Sequence, residues 1–132
     1  MEDISKVVVF NAPLEKVWKA VSTAEGIASW FMPNDLQAEM GYEFTFDAGQ
    51  FGMSPCKITE LDPPHLIGFD WGKDWHLQFQ LKDLDGKTEF HLIHSGWGED
   101  KVTETGAPHT VIRGVMDQGW GELEKLRAVV EA

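Results

Sequence analysis

Five histidines, one cysteine and a scatter of carboxylates on alternating segments are what this chain offers to chemistry. Their spacing removes most options. His91 and His94 fall on opposite faces of a strand pattern, and His65, His76 and His109 have no thiol or carboxylate at ligand spacing, so no metal site is expected. Cys56 has no cationic neighbour in sequence to lower its pKa and reads as a small buried apolar residue. No Gly-x-Ser-x-Gly elbow is present, and no glycine-rich phosphate loop precedes a helix. Asp47, Glu60 and Asp70 are single strand carboxylates, better suited to solvation than to paired acid–base work. No catalytic residue and no cofactor are assigned. His94 is left. Facing inward near a strand end, it can donate a hydrogen bond to a ligand oxygen, act as acid or base on a bound molecule, or be a core histidine satisfied by backbone or water.

The elements that position His94 are strands. Tyr42, Phe44 and Phe46 alternate with Glu43, Thr45 and Asp47, and Cys56 and Ile58 with Lys57 and Thr59. Ile67, Phe69 and Trp71 follow, then Trp75, Leu77, Phe79 and Leu81, then Thr88, Phe90, Leu92 and His94. Lys6–Phe10 is a sixth, β-branched strand. Asp62-Pro63-Pro64 makes one turn, and Asp85-Gly86 signals a tight hairpin. Centring that hairpin on Asp85-Gly86 sets Leu81 opposite Phe90, Phe79 opposite Leu92, Leu77 opposite His94 and Lys82 opposite Glu89. A slip by one residue would mix the faces.

Helices are fewer. Asn11 or Ala12 caps a first helix with Pro13 in its first turn and Leu14, Val17, Trp18 and Val21 on one face. Ser22 or Thr23 caps a second, through Gly26, Ile27, Trp30 and Phe31, stopped by Pro33. A long helix over Pro108–Val130 carries Ile112, Val115, Met116, Gly119, Leu123, Leu126 and Val130 as its apolar stripe, with Trp120 at the margin. Gly119 in mid-stripe costs about 1 kcal/mol relative to alanine. It provides either clearance for a ligand or a large ring such as Trp71, or plain helix–sheet contact. The pattern predicts an α+β fold: a curved antiparallel sheet of about six strands around a long C-terminal helix, with two short helices at the edge.

One helix cannot seal the apolar face of six strands, and what stays unsealed is expected to be a cavity. The candidate ligand-binding residues are Trp30, Phe31, Phe46, Ile58, Phe69, Trp71, Phe79, His94, Val115, Met116, Gly119 and Trp120, with Phe44 and Phe90 in the same lining. With 6 Trp and 8 Phe against 1 Tyr, the rings are nearly all without a hydroxyl, which suits a flat or aliphatic apolar guest. The polar, glycine-containing stretch Ser95–Ala107 is expected to be a gate at the cavity mouth.

The 132 residues fit one domain over 1–132. A net charge of −11 and a pI near 4.7 argue against nucleic acid and anionic membranes. The lone cysteine, the absence of a signal-peptide pattern in MEDISKVVVF and of any transmembrane run make the cytoplasm the default and membrane insertion unexpected. A protein partner has no motif to support it.

Several pieces then combine: Ala12-Pro13 with Val17-Trp18, Gly26-x-x-x-Trp30-Phe31, Gly41-x-x-Phe44, Asp62-Pro63-Pro64, His94-Ser95-Gly96-Trp97, and Gly119-Trp120 before Leu123 and Leu126. In their order and spacing, over nearly the whole chain, they resemble the START-like (SRPBCC) superfamily. More closely, they resemble the bacterial homologues of the activator of the heat-shock-protein-90 ATPase. The resemblance implies a helix-grip fold with an apolar cavity between sheet and C-terminal helix. It implies a carrier of lipid-, sterol- or polyketide-like molecules, or, in a minority of relatives, an enzyme acting on them; the superfamily shares no catalytic motif. It extends to one of the eukaryotic activator's two domains, which leaves a co-chaperone or regulatory interaction module as a further expectation.

Overall fold

The computed structural model describes residues 1–49, 52–103 and 106–132. The alternating segments become β1 (Ile4–Phe10), β2 (Glu43–Asp47), β3 (Met53–Asp62), β4 (Leu66–Trp71), β5 (Trp75–Asp83) and β6 (Thr88–Ser95). They pair throughout as an antiparallel sheet in the order β1-β6-β5-β4-β3-β2. Strands two to six form a meander because short turns join them; the first strand reaches the far edge because two helices intervene. A register shift between Ile58 and Glu60 in β3 adds local twist and helps to curve the sheet.

The β5–β6 hairpin has the predicted register, with Leu81 opposite Phe90, Leu77 opposite His94 and Lys82 opposite Glu89. Asp85 and Gly86 both take positive φ, 59° and 97°, which the tight turn requires and which Asp and Gly tolerate. The consequence is a strict burial alternation in β6, where Thr88, Phe90, Leu92 and His94 are buried and their neighbours are not.

Helix α1 (Leu14–Ser22) and helix α2 (Ala24–Ala28) lie end to end against the sheet. Pro13 stands at the N-cap itself, one position outside the expected first turn, and its carbonyl accepts from the Lys16 and Val17 N–H groups at 3.1 and 3.3 Å. Thr23 caps α2 by accepting from the Gly26 N–H at 3.0 Å. Trp30 and Phe31 follow the helix rather than belonging to it, and the Trp30 indole donates to the Ala20 carbonyl at 2.9 Å.

The C-terminal helix is broken. Helix α3 (His109–Gly119) passes into a 3₁₀ turn (Trp120–Glu122) and then into α4 (Leu123–Val130). Gly119 precedes the tight turn and Gly121 lies inside it, where helix propensity is weakest. The turn corrects the expected stripe. Three residues at three rather than 3.6 per turn rotate the helix by about 60°. Leu123, Leu126 and Val130 stay buried on α4, but on α3 only His109 is buried. Ile112 and Met116 are half-buried against the core, while Val115 is 57% exposed and Gly119 is exposed, so neither faces the sheet. Trp120, expected at the margin, is buried.

Candidate functional site

At the C-terminal end of β6 the sheet and the helix junction bring four of the six tryptophans around His94. Trp71 ends β4 and faces Trp75 at the start of β5, so the turn between them delivers both rings to the same corner. Gly96, at φ 94°, follows β6 with the Asp74 carbonyl packed where a Cβ would stand. Only glycine fits there, and it folds the chain back so that the Trp97 indole donates to the His94 carbonyl at 3.0 Å. Trp120 arrives from the 3₁₀ turn. The ring centroids of Trp71, Trp75, Trp97 and Trp120 lie 5.5, 5.0, 4.7 and 5.8 Å from that of His94. Trp71 is stacked on the imidazole, and Trp75 and Trp120 stand edge-on.

These contacts fix the histidine's protonation. The Trp120 indole N–H, which can only donate, gives its hydrogen bond to His94 Nδ1 at 3.2 Å, so the neutral ring carries its proton on Nε2. Burial pushes the pKa down to about 3, and the charges of His109 and Arg113 add to that. Acid–base work near neutrality is therefore a poor fit: the lone pair at Nδ1 is engaged, and a second proton is taken up only in acid. What the ring offers is a donor. His94 Nε2–H is fully buried with no acceptor among the described residues, and so is the Trp75 indole N–H. Such orphaned donors each cost about 1–3 kcal/mol, and they mark a place where an oxygen is wanted.

Around this box the other predicted residues form one continuous network of rings. Phe31, half-buried, stacks on Trp30 at 5.5 Å and on Trp120 at 5.2 Å, and meets Phe46 and Trp71 edge-on. Phe46 contacts Phe69, which contacts Phe79, which contacts Trp30. Ile58 is buried opposite Phe69. Met116 reaches this core; Val115 and Gly119 do not. Sequence reasoning about the site passed over Trp75, Trp97 and His109. Trp75 carried a signal, since it shares the parity of Leu77 and Phe79. Trp97 lies where no periodicity exists, whereas His109 carried a signal, since it shares the helical spacing of Ile112 and Met116. His109 Nδ1 accepts from the Gly98 N–H at 3.2 Å, and its ring packs on Trp75 and Trp97.

The stretch expected to be a polar gate thus plugs the corner through Trp97, and the Val102–Pro108 bridge ties its far end. Glu104 and Thr105, part of that expectation, lie outside the described residues. Among the described residues, rings in mutual contact take up much of the space between sheet and helix where the hollow was expected. Open space lies at its border. A cleft of about 470 Å³ runs between the β1 edge and the C-terminal helix, lined by Lys6, Val8, Asp117 and Leu123, with Trp120 as a wall. Lys6 Nζ meets Asp117 Oδ1 at 2.7 Å across it and holds that carboxyl below its usual range. A second cleft, about 370 Å³, lies on the outer face of the sheet beside His65, Gln78 and His91. Among the described residues no group of His, Cys, Asp and Glu is placed to hold a metal, and no helix is long and apolar enough to cross a membrane.

Residues 11–131 match the family described as Activator of Hsp90 ATPase homolog 1-like protein. Among solved structures, protein BH1534 of Bacillus halodurans is 46% identical, with a TM-score of 0.87 over 98% of this chain and 97% of that one. Protein MLL2253 from Mesorhizobium loti is 22% identical, with a TM-score of 0.81 over 96% of each chain. The Aha1 dimer from Colwellia psychrerythraea is 20% identical, with a TM-score of 0.78 over 99% of this chain and 97% of that one. At the last two identities the likeness is one of fold. No curated protein matches the chain.

Proposed function

The chain belongs to the family of Activator of Hsp90 ATPase homolog 1-like proteins, with its START-like, helix-grip fold, and from that premise we propose that it binds a small, flat, apolar molecule between the sheet and the C-terminal helix. The observation that carries this reading is the position of Trp120. On one side the residue borders an open cleft; on the other its indole donates to the buried His94. It is a partition between outside space and an aromatic box. A guest that displaces this indole takes its place against Phe31, which stacks on Trp120 at an interplanar angle of 22°, so the vacated slot is flat. Gly121 inside the 3₁₀ turn and Gly119 just before it let Trp120 move while Leu123, Leu126 and Val130 keep α4 seated.

The test is a titration of ¹⁵N-labelled protein with the hydrocarbon fluorene and its ketone, 9-fluorenone, following amide and indole signals. Binding by either at Trp120, Trp71, Phe31 and Gly96 is the expected result. Shifts confined to exposed residues with both compounds sink the reading.

The excess of 22 acidic over 11 basic residues favours a second reading, an interaction module with a basic partner. Capture that weakens steeply with salt would support it.

A further inference from the structure

We propose that the guest of this site is read by a single acceptor oxygen of the carbonyl type, held jointly by His94 Nε2–H and Trp75 Nε1–H. This rests on the binding reading above and narrows it to a chemical class. Both N–H groups are buried and without acceptors among the described residues. Their rings are in contact, with planes 86° apart and centroids separated by 5.0 Å. The guest that displaces the Trp120 indole releases His94 Nδ1, whereas the His94 carbonyl stays engaged by the Trp97 indole. The two free donors call for an acceptor. A ketone oxygen has two lone pairs and no proton to place, so it satisfies both donors. A carboxylate would bring a full charge into a wall of tryptophans, at a desolvation cost that two neutral donors do not offset. A plain hydrocarbon would leave both donors orphaned, as they are without a guest.

The experiment compares fluorene with 9-fluorenone, which share ring size and flatness and differ in one oxygen, on wild type and on Trp75→Phe, a variant that keeps a ring and loses the donor. Wild type is expected to bind the ketone at least about tenfold more tightly than the hydrocarbon. Trp75→Phe is expected to lose about five- to tenfold of the ketone affinity while fluorene binding stays put. Infrared spectroscopy on the wild-type complex gives a readout that needs no variant: the bound C=O stretch moves to lower wavenumber than in hexane. Equal affinity for the two compounds in wild type, or an unshifted C=O stretch, overturns the carbonyl assignment while the binding reading stands. If neither compound reaches the interior, both proposals fall together.

Discussion

His94 is a titratable group that the fold keeps from titrating. In the unfolded chain it takes up a proton near its ordinary 6.5, and in the folded chain only near 3, because burial strips the charged form of water. Between those values the unfolded state binds the extra proton. Stability contributed by the neutral ring is therefore complete above 6.5 and lost as pH falls toward 3, by up to about 1.4 kcal/mol per pH unit. The imidazole signals of His94 are expected to stay unchanged by NMR down to about pH 4.5. A His94→Gln variant should show a shallower loss of urea midpoint between pH 7 and 4.5 than wild type. An imidazole that titrates near 6.5 in the folded protein would contradict the arrangement described. The inward direction of His94 was legible because the Asp85-Gly86 turn pins a register and period-two alternation does the rest. Trp97 was not legible as a neighbour, because a chain reversal at Gly96 brings it back and no periodicity encodes a reversal.

At the level of elements, the C-terminal helix is two pieces of unequal anchorage. Helix α4 buries Leu123, Leu126 and Val130, whereas α3 is held by His109, by half-buried Ile112 and Met116, and by polar ties at its flank. Those ties are Lys6–Asp117 and the Arg113 side chain donating to the Glu2 and Asp3 carbonyls. Leu126→Ala should cost about 2–5 kcal/mol by chemical denaturation, as a cavity in a closed core does. Val115→Ala should change stability by less than about 0.5 kcal/mol. Hydrogen exchange should be faster along α3 than along α4. Comparable losses from the two substitutions would show that α3 is seated as firmly as its neighbour. A long helix near the C-terminus was readable from its apolar spacing, and its break was not. A stripe extrapolated at one period carries no sign of a 3₁₀ turn, and Gly119, read as clearance or as plain helix–sheet contact, is the exposed last residue of α3.

For the molecule as a whole, the six strands, the paired N-terminal helices and the covering C-terminal segment were legible in apolar spacing, whereas the sheet order that carries β1 to the far edge beside β6 was not read from it. Among the described residues rings narrow the expected hollow, because a pattern of alternation shows which faces need cover and not the volume of what projects from them. Phe44, Phe46, Phe69, Trp71 and Phe79 are large enough to meet Trp30, Phe31 and Trp120 across the gap. The net charge of −11 is likewise a property of the whole, and mutual repulsion among carboxylates loosens the fold. Raising sodium chloride from about 0.02 to 0.5 M should raise the Tm by several degrees through screening. A Tm that falls over that range would mean that the ion pairs outweigh the repulsion.

Because Trp120 is spliced into the joint between two helical pieces, a guest bound as proposed would not stay private to the interior. Moving the indole would tug on α3, whose outward side shows Val111 and Val115 to solvent. Loaded and empty molecules would then differ on one surface only, and a receptor that must tell them apart has to inspect that helix.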